Sequence, residues 1–300
     1  MKWVIEKQHS GMIIREYLQQ IHGFSRRIII AIKHDGGTIH VNGCNQNVRY
    51  ILAEDDVLEV EFPKEKVSVS LIPEKMNLNI VYEDDAVIVL NKPAGMATMP
   101  SPNHVSGTMA NGLLAYYESQ NRGAYTVHVV TRLDANTSGL VLISKDRYSH
   151  SLLSASQKEK KIHRKYTAII EGKLKLEAGI IDEPIARKKG SIIEREVNEK
   201  GKQAVTHYWK RKNIGDHSIV NIELETGRTH QIRVHFSYLG HPLAGDDLYG
   251  GSLRLIKRQA LHCCGLSFEH PITKQRIEFE SEIPLDLQHL AASMGFKENH

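Results

Sequence analysis

Apolar residues recur at helical spacing over Ile13, Ile14, Tyr17, Leu18 and Ile21, and the pattern breaks at His22-Gly23-Phe24. A second helix is predicted from Ser25, a residue suited to an N-cap, to the Gly36-Gly37 pair. The period then changes to two. Thr38 to Val41 reads as a short strand entering an Asn42-Gly43 turn, and Val57 to Phe62 alternates as another. Two helices and a small sheet make an α/β module over residues 1–65. The charged, proline-bounded stretch from Pro63 to Pro73 places a linker over residues 66–75 and a larger domain over 76–300.

In that larger part, Leu78 to Leu90 reads as strand, acidic turn, strand, followed by a loop through Lys92-Pro93 and Gly95. Thr98 to Ser106 is predicted as a surface loop and Met109 to Tyr117 as a helix. Leu140 to Ile143 has the unbroken apolar character of a buried strand. Tyr148 to Ile162 is predicted helical, His163 to Gly172 a strand, Arg187 to Lys202 loops or a hairpin, and Ile219 to Glu225 a half-buried strand. A helix follows with Thr229 as N-cap and Ile232, Phe236 and Leu239 on its buried side; Leu261 to Phe279 supplies closing strands. The class is α+β.

Composition narrows the function. Three hundred residues, 41% hydrophobic and 25% charged, describe an ordinary globular protein with enough chain for a well-buried core. No apolar run approaches a membrane span, and the N-terminus lacks a signal-peptide core, so no membrane partner is expected and the cytoplasm is the default location. Cys44, Cys263 and Cys264 build neither a disulfide framework nor a metal quartet. His230 and His235, five apart, fall off one helical face, so no metal is expected. The net charge of +4 is unevenly spread: Lys158 to Lys212 holds 16 Lys and Arg against 8 Asp and Glu. That concentration fits a polyanion partner or a solvated charged surface.

The stretch with most chemistry in it is Thr131-Arg132-Leu133-Asp134-Ala135-Asn136-Thr137-Ser138-Gly139-Leu140. It sets one aspartate directly before a buried strand. Two readings are open on the residues alone: a turn aspartate accepting backbone amides, or a reactive carboxylate held by a rigid element. The sequence lacks Gly-x-Ser-x-Gly, paired Asp-Thr-Gly loops and nucleotide-binding glycine motifs. These absences argue against esterase, aspartic-protease and nucleotide-dependent chemistries.

Arg132-Leu133-Asp134 followed by Thr137-Ser138-Gly139-Leu140 resembles the signature of the RluA-type family of RNA pseudouridine synthases, with Thr131 where the commonest form has His. Lys165-Tyr166-Thr167-Ala168 and Arg228-Thr229-His230-Gln231-Ile232-Arg233 are similar to its second and third motifs. The N-terminal module resembles an S4 RNA-binding domain, through Ser25-Arg26-Arg27 and Val41-Asn42-Gly43.

The resemblance implies a catalytic domain centred on a largely antiparallel mixed sheet with the cleft across its middle. It implies Asp134 as the catalytic carboxylate, Tyr166 against the target base, and Arg233 in a salt bridge to Asp134. Arg132, Thr137, Arg228, His230 and Gln231 are expected at the substrate, and Arg15, Arg26, Arg27 and Lys33 at the RNA. Lys92-Pro93 and Gly95 are expected to brace the loop that carries the aspartate, and the His241 to Asp246 passage to be architecture.

The implied reaction moves the ribose C1′ bond of uridine from N1 to C5, with no net redox change, and needs no cofactor. The carboxylate either attacks C1′ or removes a sugar proton. Large-subunit ribosomal RNA is the leading substrate and transfer RNA the next, with the protein acting as a monomer. The competing reading is a non-catalytic RNA-binding ribosome-assembly factor on the same fold.

Overall fold

The computed structural model describes residues 1–63, 71–101, 104–120 and 126–295. The first part of the expected linker, together with residues 102 and 103 of the expected surface loop, lies outside the described residues.

The N-terminal elements follow the sequence pattern closely. Strand β1 (Lys2–Val4) precedes α1 (Ile14–Glu16), which continues through a π-helical turn at Tyr17–Ile21. Helix α2 (Arg26–His34) begins where the Ser25 hydroxyl accepts the Ile28 amide at 3.3 Å. The strands β2 (Thr38–Val41), β3 (Cys44–Asn45) and β4 (Val57–Glu61) join β1 in an antiparallel sheet ordered β1-β4-β2-β3. Asn42 and Gly43 both have positive φ, which the tight β2–β3 turn requires. Ile14, Leu18, Ile28, Ile32, Leu58 and Val60 pack between helices and sheet as a core of their own.

The second core is built on β5 (Ile80–Glu83), β6 (Val87–Lys92), α3 (Met109–Ser119), β7 (His128–Val129), β8 (Ser138–Ser144), α4 (Arg147–Lys158) and β9 (His163–Glu171). The chain goes on through β10 (Ala178–Asp182), β11 (Ile185–Arg187), β12 (Arg195–Val197), β13 (Val205–Ile214), β14 (His217–Leu224) and α5 (Gln231–Tyr238). It closes with β15 (Leu261–Glu269), β16 (Arg276–Glu280) and α6 (Leu285–Ser293). Among the described residues, ten of these strands form one sheet whose main path runs β10-β13-β14-β9-β15-β8-β6-β5. Every pairing in it is antiparallel except β15 with β8, so the sheet is mixed and largely antiparallel as expected.

That single parallel pair sits at the middle of the sheet and delivers β8, and the turn before it, to the centre. Gly139 makes the close approach possible: its φ is +115°, and a Cβ there would run into the Cys263 backbone. Helices α3 and α5 bury Leu113, Leu114, Ile232 and Phe236 in the main core with Val141, Ile170 and Val220. On the other face, α6 packs Leu287, Leu290 and Ala291 with Ile169, Ile219 and Ala260.

One boundary differs from expectation. Leu71 to Lys75, expected within the linker, is docked on α3: the Asn111 carboxamide donates to Ile72 O at 2.7 Å, and Glu74 N donates to Asn111 O. The basic stretch takes the hairpin form of the two that were expected, loops or a hairpin: β11 pairs with β12, Ile185 opposite Val197 and Arg187 opposite Arg195. The N-terminal module is also not held by a linker alone. The Tyr148 ring of α4 packs tilted against Phe24, centroids 4.6 Å apart, and its hydroxyl donates to His22 O at 2.8 Å.

Candidate active site

The turn from Leu133 to Asn136 is fixed one carbonyl at a time. Thr98 Oγ1 donates to Leu133 O, Thr137 N to Asp134 O, and Arg258 Nη1 to Asn136 O. Ala135 O accepts both Gly95 N and the Lys92 ammonium. Thr131 is buried and accepts the Leu142 amide at 2.9 Å through its hydroxyl, so it locks the turn to β8. Backbone held at this many points leaves the Asp134 side chain little freedom.

Lys92 is the brace the sequence implied. It is fully buried, and its Nζ donates to Pro93 O, Met96 O and Ala135 O at 2.8, 2.7 and 2.9 Å. Burial pushes its pKa down to about 7, opposed by the charge of Asp134. The three carbonyls hold the proton on, because only the ammonium form has three N–H donors for them.

Asp134 meets Arg233 across ninety-nine positions of sequence: Arg233 Nη1 donates to Asp134 Oδ2 at 3.0 Å. The arginine is placed by α5, which enters through His230 in the left-handed conformation at φ 59°. Thr229 is therefore not the N-cap; the helix starts one residue later, and no side chain caps it. The rest of the guanidinium is held by Asp246, from the passage expected to be architecture. Arg233 Nε and Nη2 donate to Asp246 Oδ2 and Oδ1 at 2.7 and 2.8 Å, a parallel two-bond pair. Asp246 is wholly buried and the arginine side chain 8% exposed, while the Asp134 side chain is 27% exposed. One carboxylate thus anchors the cation and the other faces the opening. Burial works to lower the Arg233 pKa, but the two carboxylates together raise it, so the guanidinium charge is permanent.

His230 lies beside the pair, its Nε2 3.8 Å from Asp134 Oδ2. Burial lowers its pKa although Asp134 pulls the other way, and the ring is neutral at pH 7. Arg132 and Arg228 are exposed at the surface, and Arg228 Nε donates to Gln203 O.

Three expectations need correction. Thr137 is buried, and its hydroxyl accepts from Gln259 Nε2 at 3.2 Å. Gln231 is 2% exposed. Its Oε1 accepts from Arg228 N and Thr226 Oγ1, and its Nε2 donates to Val205 O and Thr206 Oγ1. Both side chains clamp the fold and do not face the opening. Tyr166, on β9 in register with Cys263, is 3% exposed, which leaves no free ring face for a base to stack on. Its hydroxyl faces the Cys263 thiol, and burial, with a smaller contribution from Asp134, raises its pKa. It stands near the carboxylate as a wall.

Arg15 on α1 and Arg26, Arg27 and Lys33 on α2 are exposed on the N-terminal module, away from this cluster in sequence and core. A cleft of about 580 Å³ lies behind the Asp134 turn, lined by Asn91, Lys92, Pro93, Arg258 and His262 among others, but Asp134 does not line it. At Asp134, by contrast, a half-open carboxylate meets a fixed cation.

The RNA pseudouridylate synthase family matches residues 86–238, which contain Asp134, Tyr166 and Arg233. The chain is 45% identical to the uncharacterized RNA pseudouridine synthase YjbO of Bacillus subtilis (strain 168), over 96% of this chain and all of that protein. It is 36% identical to ribosomal large subunit pseudouridine synthase D of Blochmanniella floridana, over 75% of each chain. The solved structure of human RNA pseudouridylate synthase domain containing 1 superposes with a TM-score of 0.57 at 25% identity, covering 73% of this chain and 86% of that one. A carboxylate on a rigid turn, the family match and relatives at these identities lead to one conclusion: the chain belongs to the RluA-type RNA pseudouridylate synthases and is an RNA pseudouridine synthase.

Proposed function

We propose that this synthase converts uridine in large-subunit ribosomal RNA to pseudouridine, with Asp134 as the catalytic carboxylate. The observation that carries the reading is the Asp246–Arg233–Asp134 chain, in which one acid anchors the guanidinium and the other is aimed by it. Arg233 supplies the counter-charge that a carboxylate removed from water needs, in a fixed direction. The ribosomal substrate is inferred from relatives named for the large subunit.

Glycosidic cleavage at a stacked uridine requires the base to leave the helix, at a cost of a few kcal/mol. With Tyr166 buried, stacking on its ring does not offset that cost. The phenol instead walls the carboxylate, excluding water while the base turns and rejoins through C5. Arg132 and Arg228, exposed at the rim, are placed to meet phosphates or the extruded nucleotide. The N-terminal module acts as an S4-like RNA-binding element through Arg15, Arg26, Arg27 and Lys33, which sit on exposed helical surface.

The test is to map pseudouridine in ribosomal and transfer RNA from a strain lacking the gene, and from the same strain carrying the wild-type or the Asp134→Asn gene. The expected result is loss of a large-subunit pseudouridine that wild type restores and Asp134→Asn does not. A missing site in transfer RNA overturns the substrate, and restoration by Asp134→Asn overturns the carboxylate.

A further inference from the structure

The two oxygens of Asp134 are not equivalent. Oδ2 takes the Arg233 bond at 3.0 Å and is the oxygen 3.8 Å from His230 Nε2. Among the described residues no hydrogen bond reaches Oδ1. One oxygen is held and the other open.

His230 is neutral at pH 7 and therefore carries a single N–H, on one ring nitrogen or the other. Tyr249 on one side of the ring and Asp134 on the other bear on which. Its Oη lies 2.8 Å from His230 Nδ1 and already accepts the backbone N–H of Arg195 at 2.9 Å. The hydroxyl has one hydrogen to give. Given to Nδ1, it leaves the imidazole N–H on Nε2, facing the carboxylate. The reverse tautomer would set the Nε2 lone pair toward an anionic oxygen 3.8 Å away, which is repulsive. The same phenol ring lies under Arg233, with Cζ 4.9 Å from its centroid, and meets the His230 ring edge-on at 77°.

We propose that Tyr249 is a positioning residue of the active site: it fixes His230 as the Nε2–H tautomer, so that a neutral imidazole turns its one donor to the space beside Asp134. A separation of 3.8 Å is too long for a direct hydrogen bond. The donor is thus available to an oxygen of the extruded nucleoside, a ribose hydroxyl or a uracil carbonyl. Because Arg195 opens β12, the hydroxyl also ties the basic hairpin to the site by one bond. The inference rests on Asp134 being the reacting carboxylate, but the tautomer can be read without turnover.

Tyr249→Phe removes the hydroxyl and keeps the ring under Arg233. Long-range ¹H–¹⁵N spectra of ¹⁵N-histidine-labelled protein, with the His230 signal assigned through His230→Gln, report the tautomer directly. The expected result is Nε2–H in the wild type and mixed tautomers in Tyr249→Phe. Turnover should fall in kcat by about tenfold, the scale of one hydrogen bond to a charged or polarised group, with KM for RNA unchanged. An Nδ1–H tautomer in the wild type overturns the proposal, as does a Tyr249→Phe variant that keeps the wild-type tautomer or the wild-type kcat. Asp134→Asn is tested separately for activity, so a wrong catalytic acid and a wrong tautomer give different results.

Discussion

Arg233 sits between two aspartates that should respond unequally to the same isosteric change. Asp246 is wholly buried and bonds the guanidinium twice, so Asp246→Asn leaves a cation, 8% exposed, facing an amide N–H₂ with only one carboxylate contact left. Breaking a buried pair by removing one partner costs about 3–5 kcal/mol. Asp134 is 27% exposed and takes a single bond, and its loss leaves the two-bond pair intact. That change should cost about 1 kcal/mol or less, the range of a partly exposed ion pair. Urea unfolding measures both through the shift in midpoint at constant slope. In thermal unfolding, at about 2 °C per kcal/mol for a chain of this size, the midpoint should fall by about 6–10 °C for Asp246→Asn and by about 2 °C or less for Asp134→Asn. A larger loss in Asp134→Asn than in Asp246→Asn would refute the division of roles.

The remaining predictions follow the same contacts. Lys92→Met strips three buried carbonyls of their donor, and should lower stability by about 3 kcal/mol or more and reduce kcat as the Asp134 turn loosens; unchanged urea midpoint and turnover would contradict this. Burial holds the His262 pKa at about 4 against an ordinary 6.5, so the folded state binds fewer protons than the unfolded one between those values. The resulting stabilisation, about 3 kcal/mol, is fully present above pH 6.5 and lost as pH falls through 4; His262→Asn should flatten that part of the stability–pH curve. Arg132→Ala should weaken RNA binding and lower the slope of log affinity against log salt by about one, with little change in melting temperature.

Much of the fold was legible because local periodicity and tertiary burial agree there. Helix α2 has its N-cap at Ser25, β8 is buried throughout and unbroken in apolar residues from Leu140 to Ile143, and the acidic turn between β5 and β6 lies where the sequence breaks. Strand β13 was missed because its outer half, Lys210 to Asn213, is charged and near the edge of the sheet, where no apolar alternation is required. Helix α6 was missed because three buried residues, Leu287, Leu290 and Ala291, are too few to mark a period.

The site was legible only in part. The motif resemblance brought Asp134 and Arg233 together over a long separation, and they do meet. Asp246 carries no local mark, since its importance lies in facing a guanidinium from another element. Gln231 and Thr137 read as polar residues beside a reactive motif, yet hydrogen bonds made with distant residues such as Val205 and Gln259 turn them inward. Tyr166 reads as a stacking face in the motif, yet its place on a central strand leaves it only 3% exposed.

The central claim is that the chemistry is done by the half-open carboxylate at position 134. Its most direct test is tritium release from RNA of the gene-deleted strain labelled at uridine C5, measured with purified wild-type and Asp134→Asn protein alongside RNA affinity. The account predicts release by the wild type, none by Asp134→Asn, and equal affinity for the two. Release at the wild-type rate from the asparagine variant would contradict it.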